Sequence, residues 1–392
     1  MSVNNMTFEQ IATVLNAVNQ QATGAAPVAM ANTSDFVSVA QTTLKAGYDP
    51  VINSISQVIG RNIFSNRPYN RKFKGLEMDR DRWGAITRKF SPVDVDAENA
   101  VRFTAADGTH PDMFQLNKPD VLQTNFYGQN VFDIQLRSVF RDQLDSAFSG
   151  PEAFGEFYAM LTQNFNDVRE QSIEQMSRMT INNMIAGKIA AGNGVIYLID
   201  EYNSATGSSV TEQTVYSDAN FNSFARWLAG YVETLAGYLS ERSGEFQVQV
   251  TGKTINRHTP LEDLRVYLFA PLFNMIKTRV MTDAFNQDNL KVTDTEMVNY
   301  WQGIITPDTV DVTPVYMASN GTLTTGAEVN QAGVAGILFD RDAMGINIKS
   351  EWQAVSPFEA RGGYWNPWYH MDIQYTNDFT EKAVVLLMKS EQ

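Results

Sequence analysis

One segment constrains the fold more than any other: the run PEAFGEFYAMLTQNFNDVREQSIEQMSRMTINNMIAGKIAAGNG, from Pro151 to Gly194. Phe154, Phe157, Tyr158, Leu161, Phe165, Val168, Met176, Met179 and Met184 recur mostly at spacings of three and four, which is one face of a helix. Pro151 stands where a first-turn proline is tolerated, and Gly192 and Gly194 end the pattern. Residues 151–188 are therefore predicted to form one dominant helix. Unbroken, about 40 residues at ~1.5 Å each reach roughly 60 Å, far beyond the usual ~10–14 residues of a globular helix. The stripe falls short of strict heptads, so a helix laid across a sheet is expected rather than a coiled-coil seam.

The flanking sequence supplies both helices and strands. Phe8, Ile11, Leu15 and Val18 share a helical face, and Thr7 with Gln10 has capping-box spacing. This short amphipathic helix precedes a loose tether and reads as a docking arm. Helical spacing returns from Asp35 to Phe64 with a break at AGYDP. Residues 67–136 change character: WGAITRKF, AVRFTA and VFDIQL are short alternating runs among turn residues, as in a long β-hairpin with little core of its own. After the long helix come an expected strand GVIYLIDEY, a helix near 219–241, a strand FQVQV, a strand Arg265–Ala270, and a helix opened by Pro271. The tail alternates strands and turns through VDVTPVYMA, AGILFDRDAMGI and KAVVLLM. The fold class is α+β, and 392 residues imply more than one lobe.

Chemistry-bearing patterns fail one after another. There is no cysteine, which excludes disulfides and thiolate sites and fits a reducing cytoplasm. His110, His258 and His370 are isolated in sequence, so no histidine metal site is expected. Gly187–Lys188 lacks the earlier glycine of a phosphate-binding loop, and Asn99 occupies the turn position of a would-be calcium loop at Asp94. No apolar run reaches the ~20 residues of a membrane helix, and the first residues do not read as a signal peptide. The formal charge of −14 argues against general nucleic-acid binding.

Charge is nevertheless uneven. Arg71, Lys72, Lys74, Arg80 and Arg82 fall in a basic stretch, and Asp94, Asp96 and Glu98 open an acidic one. These eight residues are candidate contacts between copies of the chain; two solvated faces of a single lobe are the alternative. The second unusual feature is RGGYWNPWYHMDIQY, from Arg361 to Tyr375. Tyr364, Trp365, Trp368 and Tyr369 could stack a sugar, but no paired acids or amides accompany them to orient one. A packing corner is the favoured reading.

The order of parts resembles the Hong Kong 97 fold of tailed-phage major capsid proteins: docking arm, extended loop, very long helix, strand–helix lobe, return strand. Arg361, Gly362, Tyr364, Trp365, Asn366, Tyr369 and His370 are similar to the RG-x-YWN-x-x-YH stretch of capsid proteins of phi29-type short-tailed phages. Residues Glu262–Asn286 resemble their strand–helix–AFN pattern, and RKFKGLEMDRDRWGAI is placed like the start of their extended loop. The resemblance implies an N-terminal arm over 1–66 and an extended loop over 67–130. A peripheral domain with its spine helix would span 131–215, an axial domain 216–355, and the return to the peripheral domain 356–392, with no immunoglobulin-like decoration after it.

It also implies a homo-oligomer, with hexameric and pentameric capsomers closing an icosahedral shell around packaged double-stranded DNA. That shell would form part of the virion and be assembled in the bacterial host cytoplasm. A portal protein and, as an optional helper, a scaffolding protein are the further partners; DNA is met only non-specifically, and no membrane is involved. No catalytic, cofactor-binding or metal-binding residue is expected. The alternatives are another phage structural part, a portal or tail protein, and a carbohydrate-active enzyme built on the 364–369 aromatics.

Overall fold

The structure is a computed structural model that describes residues 7–59, 71–78, 87–95, 120–126, 129–162, 165–279 and 294–391. Its first helix, α1 (Phe8–Thr23), starts with the expected capping box: the Thr7 amide donates to Gln10 Oε1 at 2.9 Å, and the Gln10 amide donates to Thr7 Oγ1 at 3.4 Å. Ile11, Leu15 and Val18 are buried and Phe8 packs beside them. They lie on α2 (Thr33–Leu44), α3 (Tyr48–Ile59) and α5 (Pro151–Thr162) of the same chain. Gly47, at φ +106°, makes the break between α2 and α3.

The long apolar run is helical over α5 and again over α6 (Phe165–Ala191); residues 163–164 lie outside the described set. The two helices meet different partners. α5 packs on α1, α2 and α4 (Arg141–Ala147), whereas α6 lies against strands. Phe154, Phe157, Tyr158, Leu161, Phe165, Met176 and Met184 are buried, but Val168 and Met179 are 40% exposed and leave the stripe. The buried row of α6 runs through Phe165, Ile173, Met176, Ile181 and Met184, and the two exceptions sit one position off it. Towards its end α6 is buried nearly all round, from Ile181 to Lys188 apart from Asn183.

Two sheets organise the rest. In the first, β15 (Pro367–Asn377) lies between β13 (Met344–Val355) and β3 (Gln129–Gln135), all antiparallel, and α6 crosses it. The second has the order β5 (Val195–Tyr197), β16 (Ala383–Leu387), β12 (Val334–Asp340), β6 (Leu264–Phe269), β7 (Asp294–Val298). Every residue of β12 and β16 is buried, because both faces of this sheet are covered. Val266, Leu268, Leu338, Val384 and Leu386 point into a core with α7 (Leu198–Thr206), α8 (Asp218–Ser240) and α9 (Ala270–Arg279). Tyr267, Ile337, Phe339, Val385 and Leu387 point into the other core, which holds α6 and the N-terminal helices. Strand pairing crosses residue 355: β13 and β15 share the first sheet, and β16 joins the second.

Smaller ribbons complete the description. β1 (Thr87–Pro92) pairs antiparallel with β2 (Val121–Phe126), from Thr87↔Phe126 to Pro92↔Val121. β4 (Val139–Phe140) pairs with β14 (Tyr364–Trp365), β8 (Val310–Val312) with β11 (Val329–Gln331), and β9 (Val315–Met317) with β10 (Leu323–Thr325). Two expected strands are corrected. GVIYLIDEY is a strand only to Tyr197 and then turns into α7. FQVQV is irregular: Phe246 takes φ +64°, and the side-chain Nε2 groups of Gln247 and Gln249 both donate to the Ile255 carbonyl instead of alternating on a sheet.

Candidate functional site

The aromatic turn is built from the glycines outward. Gly363 has φ +69°, which favours glycine, and its carbonyl accepts from the Arg141 amide at 3.1 Å. β14 then pairs with β4, setting Tyr364 edge-on to Phe140 with ring centroids 5.6 Å apart. Trp365, 3% exposed, points inward between Phe358 (4.6 Å) and Tyr48 (6.3 Å), and its indole N–H donates to Asp49 Oδ1 at 2.7 Å. The run thus ties the sheet to the first turn of α3, where an acidic side chain also suits the helix dipole. Tyr369, on β15, meets Phe165 edge to face at 4.8 Å and accepts from Arg169 Nε at 3.3 Å. Burial pushes its phenol up to about 12. Trp368 is half-buried, opposite Gln135 and Ala354 in register. On the outer face of this sheet His370 stacks on exposed Trp352 at 3.9 Å and meets Asp133.

The charged residues at the start of the expected loop turn largely inward. Arg71 pairs with both Glu77 and Glu170, and Arg169 with Glu170 and Glu351, a continuous chain of alternating charge along α6. The Lys72 amide donates to Glu174 at 3.2 Å; Phe73, at φ +63°, donates its amide to Glu296 at 3.0 Å and carries Arg178 over its ring. Lys74 is exposed. Asp94 accepts from Arg242 and from the Asn256 amide, each at 2.7 Å. Arg80, Arg82, Asp96 and Glu98 lie outside the described residues.

Sequence reasoning missed the partners. Lys89 at the root of the β1–β2 ribbon meets Asp378 and Glu381, and Arg257 approaches Glu381 at 3.4 Å. Burial pushes the Glu381 carboxyl up, against the pull of Lys89. Lys188 is wholly buried, and its Nζ donates to the Phe246 carbonyl at 2.8 Å; desolvation pushes it down to about 7. Only Glu170, Glu174 and Arg178 carried a signal, at successive steps of four along the helix.

None of this forms a reacting constellation. A cleft of about 870 Å³ between the loop base and the second sheet is lined by Asp94, Arg242, Arg257, His258, Asp340 and Glu381, among others. Of its two buried acids, Glu381 meets Lys89, and Asp340 accepts from Thr259 Oγ1 at 2.7 Å and from the Asp342 amide at 2.8 Å. Among the described residues no group of three or more His, Asp or Glu is placed to hold a metal, and no helix is long and apolar enough to cross a membrane. The arrangement holds geometry: it locks a loop root, a spine helix and an aromatic turn to one body.

A spine helix across a three-stranded sheet, a paired ribbon leaving the body beside it, and a two-core strand–helix lobe make up this architecture. It matches the capsid structure of Staphylococcus phage Andhra with a TM-score of 0.52 at 11% identity, over 84% of this chain and 87% of that one. The capsid structure of the cyanophage P-SCSP1u matches with a TM-score of 0.46 at 12% identity, over 84% and 91%. No curated protein matches the chain in sequence. The fold is that of Hong Kong 97-type capsid subunits. More narrowly, the chain belongs to the Phi29-like phage major capsid protein family, whose pattern covers residues 11–387. It is a structural protein of the virion capsid that self-assembles into a multimeric shell, not an enzyme.

Proposed function

We propose that this subunit closes an icosahedral shell of hexameric and pentameric capsomers around double-stranded DNA, assembling in the bacterial cytoplasm with a portal and, as an optional helper, a scaffolding protein. The observation that carries the reading is the rigid root of the β1–β2 ribbon. Lys89, Asp94 and Lys253 bond it to the main body through Asp378, Glu381, Arg242 and Asp120. An anchored root lets the intervening 96–119 segment act as a lever onto a neighbouring copy. In the same reading residues 1–66 form the arm, 131–215 with 356–392 the peripheral domain built on α6, and 216–355 the axial domain. The aromatic turn at 364–369 is the corner that locks the first sheet to the arm. Arg71 steadies the loop base within its own chain, while Lys72 and Lys74 remain available to a neighbour's acids. Each contact is small, and many per subunit close the shell cooperatively.

The test is co-expression with a scaffolding protein, read by negative-stain microscopy and sedimentation. The full chain is expected to give closed particles. Deletion of residues 96–119 is expected to leave a folded, soluble subunit that does not close shells; normal particles from the deletion would refute the lever.

A further inference from the structure

The turn 378–382 is a joint that carries the chain from β15 in the first sheet to β16 in the second. Its two carboxylates are buried: Asp378 is 1% exposed and Glu381 6%. Asp378 Oδ1 accepts from the Thr380 amide at 2.9 Å and from Thr380 Oγ1 at 2.6 Å. Its Oδ2 accepts from Lys89 Nζ at 2.7 Å, and the same ammonium meets Glu381. Arg257 is the second cation, with Nε 3.4 Å from Glu381. Two carboxylates thus face two cations, which differ in where they sit. Arg257 belongs to the body, whereas Lys89 rides on the β1–β2 ribbon.

A third cationic side chain stands behind the turn. α6 seats on it at Gly187, where an added Cβ would meet Phe379 Cζ at 2.5 Å. The next residue is the buried Lys188, and the Phe246 carbonyl that takes its Nζ also accepts from the Ala383 amide at 3.0 Å, one residue past the turn. That partner is uncharged. Burial favours the neutral amine, and the Asp378 charge pulls the other way. While Lys89 is docked the joint is balanced, and Lys188 gains little from a proton. With Lys89 withdrawn, Asp378 and Glu381 keep one cation between them, and a buried charge without its partner is costly. A proton taken from solvent by Lys188 restores the balance. The remaining charged groups around the joint are engaged or stand at its rim. Lys382 Nζ donates to the Glu241 carbonyl at 2.5 Å and to Ser243 Oγ at 3.0 Å, and Asp340 is held by Thr259 and the Asp342 amide. Glu241, Glu245 and His258 are exposed.

We propose that Lys89 and Lys188 are alternative counter-charges of this joint, so that the ribbon root lets go as Lys188 takes up a proton. The coupling is reciprocal: docked Lys89 disfavours the proton by the same factor by which the proton disfavours docking. Below about pH 7 Lys188 is charged and works against Lys89; above it the amine is neutral and the root is locked. The use of such a latch rests on the lever reading of the ribbon. The latch itself is measured in the unassembled subunit, so either can fail alone.

Hydrogen exchange at pH 6 and pH 9, with the intrinsic pH dependence of exchange divided out, reads the latch. In the wild type, peptides covering 87–92 and 121–126 should open about tenfold more often at pH 6, while β12 and β16 stay protected at both. Lys188→Met fills similar space without a charge and should hold the ribbon closed at either pH. His258 is common to both proteins, so its own titration cancels in the comparison. A wild-type ribbon indifferent to pH, or a Lys188→Met ribbon that still loosens in acid, would overturn the proposal. Lys89→Met provides an arm that leaves the buried lysine in place. With the docked charge gone, Lys188 keeps its proton to higher pH, and the wild-type rise in urea midpoint between pH 7 and 9 should largely vanish. An unchanged rise in Lys89→Met would overturn the coupling as firmly.

Discussion

Truncating Trp365 to alanine tests the corner most directly. The indole is 3% exposed, lies between Phe358 and Tyr48, and donates to Asp49. Losing it leaves a cavity walled by two aromatic rings, and truncations of this kind cost roughly 3–5 kcal/mol. The lost hydrogen bond adds little, because Asp49 is exposed and water replaces the donor. Trp365→Phe should therefore recover most of the stability, falling short by about 1–2 kcal/mol. The assay is urea unfolding of unassembled subunits followed by circular dichroism, comparing midpoints at unchanged slope, with hydrogen exchange over residues 48–59. Exchange should quicken there first, since α3 loses its tie to the sheet. Particle yield should fall with the midpoint, because a subunit with a loose corner presents its contacts poorly. A Trp365→Ala protein that is as stable and assembly-competent as the wild type, yet no longer binds a glycan, would refute the packing argument and revive the sugar platform.

Further outcomes can be checked alongside. Gly187→Ala should destabilise by about 2 kcal/mol by urea midpoint, since its Cβ would meet Phe379 Cζ at 2.5 Å and overpacking outweighs the helix-propensity gain of ~1 kcal/mol. Gly230→Ala on α8, where nothing lies within 4 Å, should stabilise by up to ~1 kcal/mol. Lys188 is held down to about 7 by burial, so the unfolded chain binds more protons than the native one between about pH 7 and its ordinary value of ~10.4; stability must rise with pH across that window. Relative to Lys188→Met, the wild type should gain ~2 kcal/mol from pH 7 to 9, and parallel pH profiles of the two unfolding midpoints would refute it. Arg71→Glu would set a third carboxylate between Glu77 and Glu170 and should cost roughly 3 kcal/mol in the unassembled subunit. Lys74→Glu should leave that stability unchanged and weaken assembly mainly at low salt, as light scattering would report.

Legibility in the sequence followed locality. The Thr7 capping box, the break at Gly47, the start of α5 at Pro151 and the limits of α8 are set by neighbours a few residues apart, and each was readable as a pattern. FQVQV alternates like a strand, but its conformation is decided by residues 255 and 379–383, which no local window contains. The spine stripe was readable as helix but not in its detail, because Val168 and Met179 differ from true core positions by one step of rotation. At the charged loop base the residue types stood out while their partners did not: Arg71 finds Glu170, Lys89 finds Asp378, and Trp365 finds Asp49, 316 positions away.

The place of β16 bears on when the chain can fold at all. Residues 383–387 form the strand between β5 and β12, and their side chains feed both cores, yet they leave the ribosome after every element they touch. Until that strand arrives, β12 lacks one neighbour and both hydrophobic faces stay partly open, so the nascent chain has no complete body on which to display assembly contacts. A product interrupted anywhere before residue 383 would lack an interior strand of this sheet and stay a substrate for chaperones and proteases. Synthesis order thus withholds both closed cores, and the contacts they support, until residues 383–387 have been made.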